Sequence, residues 1–440
     1  MKKNIAIRTL CALIAVVLLA VCLAGCGSPA DNKEDDLSAS VKLDRESGTK
    51  QLEVTVKQYV DGDTTHFYVS DSAELGTDVL KARYLAVNTP ESTGKIEEYG
   101  KKAAAFTREK LESAVSIIVE SDDGNWNLDS TGTRYLVWVW YKPSEDADYI
   151  NLNIEILQNG LAIASNSGNN RYGSTCLAAI AKAKELKLNV HSGQKDPDFF
   201  YGSAIEVDLK EIRTNLESYS GKKVAFTGVV TKNNNNTVYV ESYDSETDIY
   251  YGIAVYYGFN LAGEGLEIIK VGNEARIVGT VQFYEAGGTY QVSGLQYRIM
   301  KPDDPDNLKL ISTGKSGAYV LTDPEKFNNE KVSIITDDEL KEFSYAELTM
   351  DTTIEMHGLK VTRVNVTENE DSSSYGSMTL SCSVNGQAIT VRTNPFYENG
   401  ELITKDYFQD KTIDVKGLVS YYKGEYQIKV ISLGDIQVGQ

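Results

Sequence analysis

The stretch 61–91 constrains the fold of this chain more than any other part of its sequence. Residues 80–87 are mostly apolar or β-favouring, which predicts a strand that carries one charge, Arg83. Pro90 ends this strand, because proline cannot donate a hydrogen bond to a sheet and holds the residue before it extended. Glu91 therefore follows on a rigid turn, directly beyond the strand that presents Arg83.

The beginning of the same stretch supplies a second acidic residue. Asp63 lies in a turn that Gly62 makes possible. Phosphodiester hydrolysis needs such groups on rigid backbone: a hard cation binds aspartate oxygens, a glutamate activates water, and an arginine neutralises charge on the phosphorus oxygens. Asp63, Arg83 and Glu91 supply all three within one short stretch.

These residues closely resemble the staphylococcal nuclease (thermonuclease) family. The resemblance covers roughly residues 50–200, which is the size of one ordinary domain. Beyond Glu91 it continues through Glu98-Tyr99-Gly100, 103–114, the Arg-Tyr-Leu-Val-Trp-Val-Trp run at 134–140, 153–162, and a helix that ends before Val190.

The fold class that we predict is mainly β with helices. Periodicity predicts five strands in this region, with a helix after the third, a helix that Gly160 ends, and a third helix at about 175–188. This pattern fits a five-stranded OB-type barrel with packed helices. The predicted strands are 52–59, 66–70, 80–87, 116–120 and 135–141.

The resemblance to the family implies a calcium site, with another divalent cation as an alternative. Asp63 matches a calcium ligand. Asn88 stands where the family usually has a second aspartate, and Thr89 offers its backbone carbonyl. An amide oxygen coordinates calcium but carries no charge, so we expect weaker calcium binding than in a typical member.

The resemblance also implies three catalytic residues. Glu91 matches the glutamate that orients or deprotonates the attacking water, and Arg83 and Arg134 match two arginines that clamp the phosphate. The loop 129–133 is one residue longer than the usual form, in which glycine directly precedes the arginine. We place Arg134 as that arginine because 136–140 then fits the strand of the family.

The resulting prediction is a calcium-dependent endonuclease that hydrolyses phosphodiester bonds of DNA or RNA, with no obligate protein partner evident. The alternative is a catalytically inactive extracytoplasmic lipoprotein that binds nucleic acid, protein or sugar through OB-type barrels. A formal net charge of −19 argues against gripping nucleic acid through bulk charge. It does not exclude a nuclease, which needs only local positive groups and a cation.

Residues 1–25 have the features of a bacterial lipoprotein signal peptide. Three positive residues precede an apolar run at 10–23 that is too short for a membrane-spanning helix and ends in Leu-Ala-Gly-Cys. We predict that Cys26 is lipidated and anchors the chain to the extracytoplasmic face of the cell membrane of a bacterium, which we expect to be Gram-positive. The open alternative is an ordinary cleaved secretory signal, and the polar segment 26–50 reads as a flexible tether.

The second half of the chain predicts two further OB-like barrels, at 203–300 and 316–440, after a nuclease-like domain at 51–200. A strand, a glycine turn and a second strand recur at 279–292 and 417–428, which indicates an internal repeat. The predicted strands are 224–230, 237–241, 250–256, 275–283 and 290–295, and then 354–361, 378–384, 388–392, 412–421 and 426–431.

Tyrosines are frequent in these two segments and fit two interpretations. They could stack on the bases of a single strand, as in many OB folds. They could equally be ordinary strand residues with half-buried rings, which the lack of a concentrated basic groove favours for individual tyrosines. The candidates for base stacking are Tyr256, Tyr284, Tyr290, Tyr421 and Tyr426.

Overall fold

The computed structural model describes residues 36–69, 75–259, 261–285, 287–336, 339–370, 372 and 374–439. No helix in this part of the chain has both the length and the apolar character needed to cross a membrane. The predicted signal peptide and Cys26 lie outside the described residues, so both stay predictions.

The first barrel consists of β1, β2, β3, β5 and β6. Its strands follow the order β3-β2-β1-β5-β6, and a parallel pairing of β3 with β6 closes the ring. The predicted five-stranded barrel is therefore confirmed. Strands in this region are β1 Gln51–Asp61, β2 Thr64–Val69, β3 Val79–Tyr84, β4 Ala86–Asn88, β5 Ser116–Glu120, β6 Tyr135–Lys142, β7 Ile150–Asn151 and β8 Ile163–Ser165.

The segment 80–87, which we predict as one strand, forms two. The break falls at Leu85, and Ala86 has a φ of +69°, which turns the chain out of the barrel. The buried side chain of Asn153 stabilises the break, because its amide nitrogen donates to the carbonyl oxygen of Leu85 at 2.9 Å. Beyond the break, β4 pairs with β8 outside the barrel, and this pairing places Asn88 at the rim.

Helices pack beside the first barrel. The helix that the sequence predicts over 103–114 begins three residues earlier, at Gly100. It lies beside β1, and the hydroxyl of Thr107 donates to the carbonyl oxygen of Gly62 at 2.6 Å. Gly160, with a φ of +64°, follows the next long helix, as predicted. The helices here are α1 Leu37–Ser40, α2 Gly100–Glu112, α3 Leu152–Gln158 and α4 Gly173–Glu185, followed by a 3-10 turn at Asn189–His191.

Residues 36–50, which we expect to belong to the tether, lie against the first barrel. Leu37, Val41 and Leu43 pack on its hydrophobic core. The backbone N–H of Leu37 also donates to the side-chain oxygen of Gln158 at 2.7 Å. The apolar residues spaced along this short segment carry the contact, although its overall composition is polar.

The second barrel consists of β10 to β14, and pairing of β10 with β13 closes it. Two edge strands extend it, giving the order β15-β13-β14-β12-β11-β10-β9. The strands are β9 Ile205–Glu206, β10 Lys223–Asn234, β11 Thr237–Asp244, β12 Ile249–Tyr256, β13 Glu274–Tyr284, β14 Thr289–Ser293 and β15 Lys309–Ser312. The helices are α5 Leu209–Thr214, α6 Leu216–Tyr219 and α7 Glu264–Ile268.

The third sheet has the same arrangement, in the order β26-β24-β25-β21-β20-β19-β16, with β19 paired to β24. Its five central strands, β19, β20, β21, β24 and β25, are called the third barrel below. A two-stranded hairpin that the sequence did not predict, β17–β18, precedes it. The elements are β16 Val320–Leu321, β17 Lys331–Thr336, β18 Glu339–Ser344, β19 Thr353–Val366, β20 Met378–Val384, β21 Gln387–Thr393, β22 Tyr397–Glu398, β23 Glu401–Leu402, β24 Thr412–Tyr422, β25 Glu425–Val430, β26 Ile436–Val438, α8 Pro324–Asn329, α9 Tyr345–Leu348, and 3-10 turns at Lys405–Tyr407 and Leu433–Asp435.

The recurring sequence motif occupies equivalent hairpins in these two sheets. Phe283 pairs with Tyr290 in one hairpin, and Tyr421 pairs with Tyr426 in the other. The ring centroids of the two pairs lie 5.1 and 5.0 Å apart. The motif thus marks a repeat of the whole strand order.

Candidate active site

Asp63 is the buried centre of the candidate site. Its side chain is fully buried in the turn between β1 and β2, where its Oδ2 accepts the backbone N–H of Thr89 at 2.8 Å. The turn requires glycine at position 62 for space: a Cβ there would lie 2.8 Å from Cγ2 of Thr89 and 2.9 Å from Cβ of Ala103. Close packing, and not only turn geometry, therefore explains Gly62.

Arg83 joins two of the predicted metal ligands. One of its Nη atoms pairs with Oδ1 of Asp63, and the other donates to Oδ1 of Asn88 at 2.6 Å. β3 presents this arginine beside the turn, because Arg83 pairs with Thr64 of β2. The structure therefore brings Asp63, Arg83, Asn88 and Thr89 into one connected group.

Asp61 is a member of the site that the sequence reasoning did not select. Its carboxylate is 8% exposed and accepts the backbone N–H of Asp63 at 3.1 Å. Burial and then the charge of Asp61 raise the pKa of Asp63 to about 7, although Arg83 and the amide of Thr89 oppose the shift. The Asp-Gly-Asp sequence at 61–63 was the signal from which a second carboxylate at this site could have been predicted.

Glu91 lies at the start of the loop 92–98, and its side chain is exposed. Its carbonyl oxygen accepts the backbone N–H of Glu97 at 2.9 Å, and its own N–H donates to the Glu97 carboxylate at 3.2 Å. Gly100 is needed at the start of α2, because a Cβ there would overlap the carbonyl oxygen of Glu91. The loop therefore returns on itself and fixes the backbone of Glu91.

Charges from the rest of the site act on the Glu91 carboxyl. Partial desolvation raises its pKa, and the carboxylates of Asp61 and Glu97 add to this effect. The guanidinium groups of Arg83 and Arg134 oppose it. Glu91 therefore shares one electrostatic environment with both predicted arginines.

Arg134 lies just before β6 and is held by a local partner. Its Nε and Nη2 both lie 2.7 Å from Oδ2 of Asp129. Although burial opposes it, hydrogen bonds from Thr131 and Arg134 lower the pKa of Asp129 to about 2. The extended loop therefore uses Asp129 to hold the arginine, and the structure does not bring Arg134 into direct contact with Asp63.

A row of cations that the sequence reasoning missed leads away from this group. Lys57 and Lys81 lie on the outer wall of β1–β3 beside His66, which pairs with Lys81; we call the two lysines the cationic strip. The Nζ of Lys57 lies 5.3 Å from the ring centroid of Tyr68, which is 48% exposed. Burial and then the charges of Lys81, Lys57 and Arg134 lower the pKa of His66.

The oxygen atoms around Asp63 are of the types that a hard cation such as calcium takes, although Arg83 contacts Oδ1 of Asp63 and Oδ1 of Asn88. The carboxylates of Asp61 and Asp63 and the amide oxygen of Asn88 are the ligand types that calcium prefers. The buried hydroxyl oxygen of Thr89 finds no hydrogen-bond partner among the residues that the structure describes. Within the same residues, no three His, Cys, Asp or Glu side chains lie close enough to hold a metal ion, so such a site depends on the neutral oxygens.

The tyrosines considered for base stacking lie on the second and third barrels, away from this group. Tyr284 is 46% exposed. Tyr256, Tyr290, Tyr421 and Tyr426 are partly buried, and burial is the first cause that raises the pKa of Tyr426 to about 12. These environments agree with ordinary strand tyrosines, and any role in stacking stays a prediction.

Comparison with known families gives a match over part of the chain. Residues 81–192 match the model of the family described as staphylococcal nuclease homologue. This segment includes Arg83, Asn88, Glu91 and Arg134, whereas Asp63 lies before it. Over residues 81–192 the first barrel and its helices are therefore similar to a staphylococcal nuclease homologue, and we call this part of the chain the nuclease-like domain.

Gly62→Ala should displace Thr89 and destabilise the first barrel by about 1–3 kcal/mol, because the new Cβ has no space. All three tryptophans of the chain, Trp126, Trp138 and Trp140, belong to this domain, so fluorescence during denaturant unfolding of the full chain reports on it. Gly48→Ala is the control, because a Cβ at Gly48 has no neighbour within 4 Å. Equal stability of both variants would contradict the packing argument.

Proposed function

We propose that this chain is a cation-dependent nuclease that hydrolyses phosphodiester bonds of DNA or RNA. The observation that supports this most is the contact of Arg83 with both Asp63 and Asn88, close to Glu91, in a domain of nuclease-type fold. Calcium is the cation that the family resemblance implies.

In this proposal Asp63, Asn88 and Thr89 hold the cation, and Asp61 adds negative charge behind them. Bound there, the cation would supply positive charge to a phosphoryl oxygen and would lower the pKa of water. Arg83 exchanges its contacts with Asp63 and Asn88 for the phosphate, to which its planar fork can donate two hydrogen bonds.

Glu91 is the proposed general base. Its pKa is raised toward neutral pH, and a base whose pKa is closer to the working pH accepts a proton from water more readily. The proton passes from the attacking water to Glu91 as the water oxygen bonds to phosphorus. The P–O5′ bond then breaks, its electron pair goes to O5′, and O5′ takes a proton from solvent water; family resemblance implies products with a 3′-phosphate. Arg134, held by Asp129, supplies a second positive charge near the phosphate.

The cationic strip gives the substrate a path along the barrel. Alternate residues of a strand lie about 6.7 Å apart, so Lys81 and Arg83 present two cations at a spacing that suits successive phosphates of an extended single strand. Tyr68 offers an exposed ring beside them. This local charge lets an acidic chain bind nucleic acid.

We also propose that lipid on Cys26 anchors the chain to the extracytoplasmic face of the membrane. The signal-like sequence 1–25 supports this proposal. The second and third barrels would then lie on the same side of the membrane as the nuclease-like domain.

A second function is favoured by one observation. Arg83 already neutralises Asp63 and engages Asn88, and Asn88 lacks the charge of the usual aspartate. A domain that kept this arrangement would bind a nucleic-acid strand without cleaving it.

Full-length protein should cleave a single-stranded oligonucleotide with millimolar calcium and stop when a chelator removes the ion. Glu91→Gln keeps the shape of the side chain but removes the base, so kcat should fall about a hundredfold or more. Gel analysis of a labelled oligonucleotide measures both. Binding without cleavage under every divalent ion tried would favour the second function.

Lys81→Ala should weaken binding of single strands and reduce its dependence on salt. Losing one phosphate contact changes the slope of log K against log salt by about 0.7. Fluorescence anisotropy with a twelve-nucleotide strand measures this in the Glu91→Gln background, in which cleavage is slow compared with the measurement. Lys184→Ala, at an exposed position on α4, is the matched control. An unchanged slope for Lys81→Ala would show that the cationic strip does not contact the nucleic acid.

A further inference from the structure

The second barrel holds the loop that follows Glu91. The carbonyl oxygen of Gly94 accepts two hydrogen bonds from that barrel, one from Nε2 of Gln282 at 3.1 Å and one from Oγ of Ser293 at 3.0 Å. Both donors are buried, with exposures of 8% and 0%. A single carbonyl three residues beyond Glu91 thus satisfies two buried polar side chains of a different barrel.

The two surfaces are shaped for this contact. Gly294 faces the loop, and a Cβ at that position would lie 3.2 Å from the carbonyl oxygen of Gly94. The same hairpin makes a second contact with the nuclease-like domain, because Glu285 pairs with Arg108 of α2. The hairpin therefore holds both the loop and the helix that follows it.

Without the second barrel, the loop is fixed only at its ends. Glu91 and Glu97 bond to each other, and the backbone N–H of Tyr99 donates to the carboxylate of Asp196 at 2.6 Å. For residues 92–96, the hydrogen bonds that the structure describes are the two that Gly94 accepts. The centre of the loop therefore depends on the second barrel.

We infer that the second barrel positions the proposed general base, with Gln282 and Ser293 as positioning residues that act on Glu91 through Gly94. The inference rests on the proposed function, in which Glu91 removes a proton from water. A base works only within hydrogen-bond reach of that proton, so a looser loop lowers the fraction of bound complexes that react. Arg83 and the cationic strip, which bind substrate, do not depend on the contact.

The double variant Gln282→Met/Ser293→Ala tests this in the full-length chain. It removes both donors and keeps most of the side-chain volume. The amide of Glu97 donates to the carbonyl oxygen of Glu91, so its hydrogen–deuterium exchange, followed in peptides covering 92–98, should become about tenfold faster or more. On a dinucleotide phosphodiester with calcium, kcat should fall about tenfold while KM stays within about twofold, because binding is retained.

Ser420→Ala is the matched control. Ser420 of the third barrel occupies the position equivalent to Gln282, and its hydroxyl bonds within its own hairpin. Neither exchange at 92–98 nor kcat should change. If the double variant unfolds, Gln282→Met alone should show the same changes to a smaller extent.

The outcomes separate this inference from the proposed function. Unchanged exchange at 92–98 overturns the contact between barrel and loop. Faster exchange with unchanged kcat overturns the positioning of Glu91. Faster exchange in a protein whose wild type cleaves nothing supports the contact, while the proposed function itself fails.

Discussion

The ion pair between Asp63 and Arg83 is the interaction on which the candidate site depends. A fully buried carboxylate is costly unless charges and hydrogen bonds compensate it. Arg83 and the amide of Thr89 supply that compensation, so the strand, the break after it and the rim are held together around Asp63. The same arginine competes with a cation, because Arg83 contacts the oxygens of Asp63 and Asn88 that a cation would need.

The repeat gives the second and third barrels equivalent hairpins. Ser293 of the second barrel contacts the nuclease-like domain, and Lys429 occupies the equivalent position in the third barrel. Lys429 acts electrostatically on Asp351, which pairs with Arg213 of α5 at 3.0 Å. Arg213 of the second barrel's α5 is thus linked to Asp351, which directly precedes the third barrel.

Much of the first barrel and its site could be predicted from sequence, because strand periodicity and a run of matching motifs are local signals. The break at Leu85 could not, since nothing in an alanine at position 86 indicates a positive φ. The pairing of Arg134 with Asp129 could not be predicted either, because it depends on the conformation of the loop 129–133. The contact of Gly94 with the second barrel joins distant positions, which no local pattern encodes.

The most direct test of the account is cleavage rate as a function of calcium concentration, for wild type and Asn88→Asp. Because the aspartate restores a negative charge at the cation site, we expect Asn88→Asp to reach half-saturation at about tenfold less calcium than wild type. The rate at saturation should change less. Two curves with the same half-saturation would contradict it. They would show that Asn88 does not contact the cation and that the group around Asp63 has another purpose.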